Sequence, residues 1–222
     1  MKSLSRINDR TLINRIMNLR KDPPFIIFQT ILDKATWRSL QVRRFFFLFY
    51  NGVPEVRNPR GPGEVRKGMS SDVDGMAGFE NKKELFSRRF SVNDHCIVAV
   101  ANGKIVGYEW FTDKSYHIEE RYRYKINIPA DSVYAYDAYI SPEYRMCGFW
   151  LKFKMAMAGM MRQLGRHRII TMIDYENSIS MNTHLRFGFI PFKNILVIRV
   201  LGKNFFRENK QLHCRNRLLT HG

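Results

Sequence analysis

A strand, a short turn and a long helix follow one another in residues 132–164, and this pattern most constrains the fold. Residues 132–140 alternate in strand fashion, and Ser141-Pro142 ends the run. Residues 148–164 are a long helix candidate that ends at Gly165. The pattern predicts the α/β class, and the length of 222 residues suits either one α/β domain with extensions or two small domains.

Segments on either side of this unit extend the α/β pattern. Residues 95–100 and 105–111 are two strands, and Asn102-Gly103 between them is a strong hairpin signal. The further candidates are a strand at 64–67, a helix capped by Ser70-Ser71-Asp72, a strand at 169–173, a helix at 178–187 and a last strand at 195–201. From Glu64 onward the predicted order is therefore β-α-β-β-β-α-β-α-β.

The first 60 residues differ in texture from the rest of the chain. Apolar positions in residues 4–20 recur near helical spacing with arginines between them, which predicts a basic amphipathic helix that Pro23-Pro24 ends. Residues 36–50 combine Trp37 and an aromatic run with arginines, a composition suited to a membrane interface or to packing on the chain's own domain. Residues 52–63, rich in Pro and Gly, mark the boundary. We predict a basic helical extension over 1–60, a main domain over 61–202 and a basic tail over 203–222.

The charge is concentrated in the two ends of the chain. The net charge is +17, and residues 1–60 alone hold 12 basic and 4 acidic side chains. Such a field attracts nucleic acid, acidic lipid, acidic protein or phosphorylated ligands. The chain has three widely spaced cysteines, no apolar run long enough to span a bilayer and no secretory leader pattern. These features favour a cytoplasmic protein. A peripheral membrane contact would be made through residues 1–50.

Three local patterns occur in order along the chain, each at its expected place among the predicted strands and helices. The first leads from Val65-Arg66-Lys67 into Ser71-Asp72, and the second is Asp137-Ala-Tyr-Ile-Ser-Pro-Glu-Tyr-Arg-Met-Cys-Gly148. The third places Asn177, Ser180, His184, Gly188 and Phe189 at offsets typical of one helix and its end. Over residues 64–202 these patterns resemble the GNAT acyltransferase superfamily. The resemblance implies a mixed α/β fold with a central, mostly antiparallel sheet that has splayed strands and flanking helices.

The second pattern has the chemistry of a phosphate site. A turn that leads into a helix N-terminus presents unpaired N–H groups, and Gly148 allows the backbone to come close. The resemblance implies that this turn grips the pyrophosphate of acetyl-CoA or another acyl-CoA, that the preceding strand edge binds the pantetheine arm, and that the 177–187 helix contacts that arm. The residues concerned are Arg145, Met146, Cys147, Gly148, Phe149 and Trp150 in the turn, Tyr139 and Ile140 on the strand, and Asn177 and Ser180 on the helix. No metal is implied.

Transfer of an acyl group to an amine needs a proton acceptor and a proton donor. Asp137 lies where many relatives carry an acidic residue, and Glu109 on the preceding strand is the competing base. Strand pairing would bring the two carboxylates together and raise one pKa. His184 occupies the position where the family usually has the tyrosine acid, with Tyr175 and Tyr139 as alternatives.

Two residues depart from the family pattern in the phosphate turn. Trp150 stands where Gly or Ala is expected, and Met146 replaces a small residue. Their bulk is compatible with an unchanged acyl-CoA site, with Trp150 turned into the core. It is also compatible with an acyl carrier protein as donor, and that partner would be steered by the positive surface.

Three functions follow from this sequence. The first is an acyl-CoA-dependent N-acyltransferase for a primary amine of a small molecule or protein. The second is an N-acyl amino acid synthase that uses a long acyl chain from acyl carrier protein. The third is a nucleic-acid-binding protein on an inactive GNAT frame, which is disfavoured because the basic ends lack a reading motif. Acceptor specificity is assigned to the loop 112–131 and to the N-terminal extension. The strand at 195–201 is an edge candidate for a homodimer.

Overall fold

The structure is a computed structural model that describes residues 23–36, 39–52, 61–79 and 81–209. The amphipathic helix predicted at 4–20 and the boundary segment 53–60 lie outside the described residues. The described residues form two compact units, one within the ranges 1–48 and 173–222 and the other within the range 49–172. In the described residues no helix is long and apolar enough to cross a membrane.

The central unit, residues 49–172, contains a mixed sheet. Its strands are β2 (Glu64–Lys67), β3 (His95–Ala101), β4 (Lys104–Thr112), β7 (Ser132–Ile140) and β8 (Arg168–Asp174), and a separate hairpin pairs β5 (Tyr116–Ile118) with β6 (Lys125–Asn127). The spatial order in the sheet is β8-β7-β4-β3-β2, and all neighbours are antiparallel except β7 and β8, which are parallel. This arrangement confirms the predicted α/β class.

Helices pack on both faces of this sheet. They are α2 (Val73–Ala77), α3 (Lys83–Ser91) and α4 (Phe149–Gln163), with 3₁₀ turns at Ser70–Asp72 and Pro142–Tyr144. Side chains alternate along β4, so Tyr108 and Trp110 face α2 and α3, while Glu109 faces Lys154 of α4. The first face is a core of aromatic and sulfur-containing side chains around Phe86, which is fully buried.

The flanking unit is built from the two ends of the chain. It contains α1 (Pro23–Ala35), β1 (Leu40–Asn51), α5 (Ser178–Phe187), β9 (Ile190–Val200) and β10 (Lys203–Asn209). The spatial strand order is β10-β9-β1, with β10 antiparallel to β9. The interior of β1 is formed by Phe45–Leu48, which are buried.

Four features differ from the sequence-based expectations. Leu40–Asn51 is a strand, not part of a helical extension, because its consecutive apolar side chains are buried on both faces. Lys203–Asn209 is a strand rather than tail, so the strand predicted at 195–201 is not an edge: β10 pairs with it. Helix α3 was not predicted, and the loop expected at 112–131 contains the β5–β6 hairpin.

Candidate functional site

The separation of β7 from β8 creates a gap in the central sheet. The two strands pair only over Ser132–Ala135 and Arg168–Thr171. On its other side β7 stays paired with β4, but the register shifts because Glu109 pairs with Ala138 and Trp110 with Tyr136. Asp137 therefore has no cross-strand partner in either ladder, and its φ of 43° is left-handed. An extra residue in this conformation is a β-bulge that bends the strand.

The bulge changes which side chains face α2 and α3. Tyr136 and Tyr139, three residues apart, both pack against the core on that face, whereas regular alternation would put them on opposite faces. Tyr139 stacks on Phe79 at 5.1 Å between ring centroids, and Arg89 of α3 reaches the Asp137 carboxylate between the two tyrosines. The end of β7 thus presents a polar and aromatic wall.

Asp137 is held by two cations and a hydroxyl. Arg89 donates to Oδ2, Lys82 Nζ lies 3.5 Å from Oδ1, and the Tyr108 hydroxyl donates to Oδ1 at 3.5 Å. Arg89 is buried, and its guanidinium also donates to Glu120 at 3.1 Å. Burial lowers the pKa of the Arg89 guanidinium, but the carboxylates of Asp137 and Glu120 outweigh burial and raise that pKa above its ordinary value.

Glu109 lies on the opposite face of the sheet. It is buried, and Lys154, also buried, donates to its Oε1. The second carboxylate oxygen of Glu109 has no hydrogen-bond partner among the described residues. Asp137 and Glu109 therefore each have a separate cationic partner, and the predicted cleft with two interacting carboxylates is not formed.

A histidine that sequence reasoning did not single out lies beside this wall. His117 of β5 packs on Tyr136 at 4.3 Å and on Tyr134 at 5.2 Å between centroids. Burial lowers the pKa of His117, although the nearby Asp94 and Glu120 carboxylates act in the opposite direction. The Tyr136 hydroxyl donates to Asp94 at 2.7 Å. Neither His117 nor Arg89 belongs to a local motif, so only the folded chain identifies them.

The turn after β7 leads into α4 as the sequence predicts. Gly148 is the N-cap residue of α4 with φ 81°, and it has no side chain to cap the helix. The first amides of a helix have no partner within the helix, so this N-terminus offers N–H groups and the positive dipole end to an anion. Arg145 Nε donates to the Ile140 carbonyl at 3.1 Å, and the Met146 side chain is fully exposed with φ 68°.

A glycine-containing segment lies against this turn. Lys152, one turn into α4, donates to the carbonyls of Gly61 and Gly63 at 3.0 and 2.8 Å. A Cβ on residue 61 would lie 2.2 Å from the Cys147 carbonyl oxygen, so only glycine permits this approach. Phe149 is buried, and the Trp150 indole lies over the Lys154 ammonium at 5.1 Å.

The remaining candidates belong to the flanking unit and have structural contacts there. Asn177 is the N-cap of α5, and its Oδ1 accepts from the Ser180 amide at 3.0 Å. His184 is buried, and its Nδ1 lies 2.8 Å from the Ser180 carbonyl. If Nδ1 donates to that carbonyl, a proton at Nε2 requires the imidazolium form. Tyr175 packs on Phe25 at 6.0 Å between centroids.

Comparison with known proteins connects this geometry to a fold family. No family model and no curated protein matches the sequence. A proposed GNAT-family acetyltransferase from Novosphingobium aromaticivorans is similar in structure, with a TM-score of 0.52, 14% identity and coverage of 70% of this chain and 63% of that one. A conserved Staphylococcus epidermidis protein of unknown function is also similar in structure, with a TM-score of 0.51 and 10% identity. The match covers 77% of this chain and 66% of that one.

A third structure is the GCN5-related glucosamine N-acetyltransferase region of a fungal multi-domain GH3 β-N-acetylglucosaminidase. Its TM-score is 0.50 at 12% identity, with coverage of 76% of this chain and 22% of that one. The chain spans a little under two thirds of the first two structures. At these identities the likeness concerns the fold: the chain adopts the GNAT fold, a mixed α/β sheet flanked by helices, as the sequence motifs predicted.

Within the described ranges no group of three or more His, Cys, Asp or Glu side chains is placed to hold a metal ion. The end of β7 and the start of α4 offer two other binding features. A strand edge without a ladder partner can bind an extended chain of amides, and an uncapped helix N-terminus can bind phosphate. The two features are consecutive in sequence, as an elongated ligand with both groups requires.

Proposed function

We propose that the protein is an N-acyltransferase that moves an acyl group, acetyl in the simplest case, from acyl-CoA to a primary amine. The observation that carries this proposal is the end of β7, where pairing with β8 stops at Ala135 and the strand continues through a bulge into the uncapped start of α4.

The free cysteines Cys96 and Cys147 fit a reducing, cytoplasmic location.

The donor would bind along this strand and turn. The edge of β7 that faces away from β4, at Tyr139 and Ile140, would hydrogen-bond the amides of the pantetheine arm, in competition with Arg145 for the Ile140 carbonyl. The turn from Arg145 to Trp150 would bind the pyrophosphate. Arg145 and Lys152 add positive charge beside the helix N-terminus. The thioester supplies the activated acyl carbon, and the protein supplies orientation.

In direct transfer the amine nitrogen attacks the thioester carbon, so an N–C bond forms and the C–S bond breaks. The nitrogen loses a proton, and the departing thiolate gains one from a protein group or water. Asp137 is the best-placed carboxylate for the amine, because Lys82 is its more distant cation at 3.5 Å and an incoming ammonium can replace it. Glu109, buried against Lys154, is less suited to this role.

The thiolate's proton donor is a separate proposal. Tyr139 is the candidate within the central unit, since it lies on the same face as Asp137 at the end of β7. His184 and Tyr175 stay predictions from the family pattern. Replacement of Tyr139 by Phe should lower kcat more than it raises KM if its hydroxyl protonates the thiolate.

The two bulky residues of the turn are compatible with a coenzyme A donor. The Met146 side chain is fully exposed, and the Trp150 indole lies over Lys154 on the next turn of α4. A carrier protein with a long acyl chain is the alternative, and an N-acyl amino acid synthase would be the corresponding activity.

Thermal unfolding with acetyl-CoA, free CoA, long-chain acyl-CoA and phosphopantetheine tests this proposal. A ligand at 100 times its Kd adds about 2.7 kcal/mol to the free energy of unfolding. We expect stabilisation by acetyl-CoA and CoA. A response to phosphopantetheine or long-chain acyl-CoA alone would favour the synthase, and no response to any of the four would contradict the acyl-CoA proposal.

A further inference from the structure

Helix α1 of the flanking unit has an inner face that is already occupied. Phe25, Gln29 and Leu32 are four and three residues apart, so they share one side of the helix. The Arg44 guanidinium lies over the Phe25 ring at 4.4 Å, and the buried Gln29 side chain donates to the Val42 carbonyl of β1. Through these contacts α1 packs against β1.

The outer face of α1 is apolar as well, although it is exposed. Ile27, Phe28 and Ile31 are 55%, 53% and 60% exposed. At about 100° per residue they lie within an arc of about 100°. Of the helices described, only α1 exposes three large apolar side chains. Large apolar side chains grouped on an exposed face mark a surface of interaction, so this outer face is a candidate binding surface.

The charge of the preceding segment indicates what that occupant is. Residues 1–22, which lead directly into α1, contain six basic and two acidic side chains. Apolar side chains that adjoin clustered Lys and Arg in sequence are typical of segments that bind anionic lipid. The apolar side chains insert into the acyl region, and the anionic headgroups attract the Lys and Arg side chains. Nucleic acid would bind the basic residues, but it would not bury the side chains of Ile27, Phe28 and Ile31.

We propose that the outer face of α1 docks the protein on an anionic membrane surface. Helix α1 has 13 residues and is about 20 Å long, too short to cross a hydrocarbon core of about 30 Å. It would lie in the plane of the interface with Ile27, Phe28 and Ile31 inserted. This inference does not depend on the proposed acyl transfer.

Sedimentation of the full chain with vesicles tests the proposal. The wild type is compared on phosphatidylcholine vesicles with and without phosphatidylserine, at low salt and at about 0.5 M NaCl. We expect at least about tenfold stronger partitioning onto the anionic vesicles at low salt, and loss of most of that advantage at high salt.

A matched pair of double variants tests the apolar contribution. Phe28→Ser with Ile31→Ser should weaken partitioning by about tenfold or more. The control is Phe205→Ser with Ile179→Ser, which changes side chains of 56% and 80% exposure elsewhere in the same unit and should have less than about a twofold effect. Circular dichroism melting confirms that both variants fold.

Three results would overturn the proposal. The wild type could bind neutral and anionic vesicles equally, or the α1 variant could bind as well as its control. Sedimentation velocity without vesicles supplies the third: if the α1 substitutions abolish a dimer and leave vesicle binding intact, the outer face is an interface between copies of this chain. The wild-type lipid and salt dependence stands even if a variant unfolds.

Discussion

Two adjacent arginines of α3 have very different environments. The Arg89 side chain is 5% exposed and paired with Asp137, while the Arg88 side chain is 68% exposed and lies 3.6 Å from Glu120. Three aromatic rings, those of Phe86, Trp110 and Tyr136, surround the Arg89 guanidinium. A buried cation in such a position is costly to remove, because its carboxylate partner stays behind.

We expect Arg89→Met to lower the free energy of unfolding by about 3 kcal/mol, because it leaves Asp137 with the weaker Lys82 contact. The same substitution at Arg88 should change it by less than about 0.5 kcal/mol. Urea denaturation of both variants measures the difference. Equal effects at the two positions would show that Arg89 does not stabilise the bulge through its ion pair.

The buried imidazole of His117 gives a prediction about pH. Its folded pKa is lowered by burial from an unfolded value of about 6.5, so the unfolded chain takes up a proton first as pH falls. His117 therefore contributes stability above about pH 6.5, and this contribution declines as pH falls toward and through the folded pKa. Besides burial, four charged groups act on this pKa: Asp94 and Glu120 raise it, and Arg89 and Lys114 lower it.

His117→Phe keeps a ring between Tyr134 and Tyr136 but cannot be protonated. We expect the free energy of unfolding of the wild type to fall relative to the variant as pH is lowered from about 7.5 to about 5. Denaturation curves at several pH values measure this gap. A gap that is constant or widens in the wild type's favour on acidification would contradict a lowered pKa.

At the scale of elements, the two glycines of α4 have opposite roles. Gly148 begins the helix with φ 81°, where a side chain is strained, whereas Gly159 lies inside the helix and a Cβ there would meet only the end of Arg162 at 3.9 Å. Glycine is therefore required at the first position and is a poor helix former at the second.

Gly148→Ala should lower the free energy of unfolding by about 1 kcal/mol and weaken acetyl-CoA binding by about tenfold, because it distorts the phosphate turn. Gly159→Ala should stabilise the protein by up to about 1 kcal/mol and leave binding unchanged. Calorimetric titration and thermal unfolding test both variants. Equal loss of binding in the two would remove the turn from the donor site.

The elements that the sequence predicts well are those with local signals. The Asn102-Gly103 pair gives the β3–β4 hairpin, with positive φ at both residues, and helix α5 spans the predicted Ser178–Phe187. Strand β1 was misassigned because a strand buried on both faces is a continuous apolar run, and such a run has no period that separates it from a helix.

The site was predictable only in part for a similar reason. The turn before α4 is a local motif and occurs where expected, but the separate partners of Asp137 and Glu109 depend on which face of the sheet each side chain takes after the bulge. Arg89 is 48 residues from Asp137 in sequence. Neither the bulge nor this contact leaves a trace in the spacing of residues.

At the scale of the whole molecule, the two ends of the chain carry most of the net charge of +17. The central unit contains the proposed donor site, while the flanking unit contains the exposed outer face of α1. Salt should therefore change the affinity for vesicles and the affinity for acetyl-CoA to different extents. Vesicle binding should weaken strongly with ionic strength, whereas acetyl-CoA binding, which also uses backbone amides, should weaken less.

Hydrogen exchange with and without acetyl-CoA tests the central claim most directly, since it reports where the donor binds without knowledge of the acceptor. We predict slower exchange in peptides that cover residues 136–151, the end of β7 and the start of α4, and little change in the β3–β4 hairpin. Stabilisation by acetyl-CoA without protection in residues 136–151 would contradict the proposed donor site.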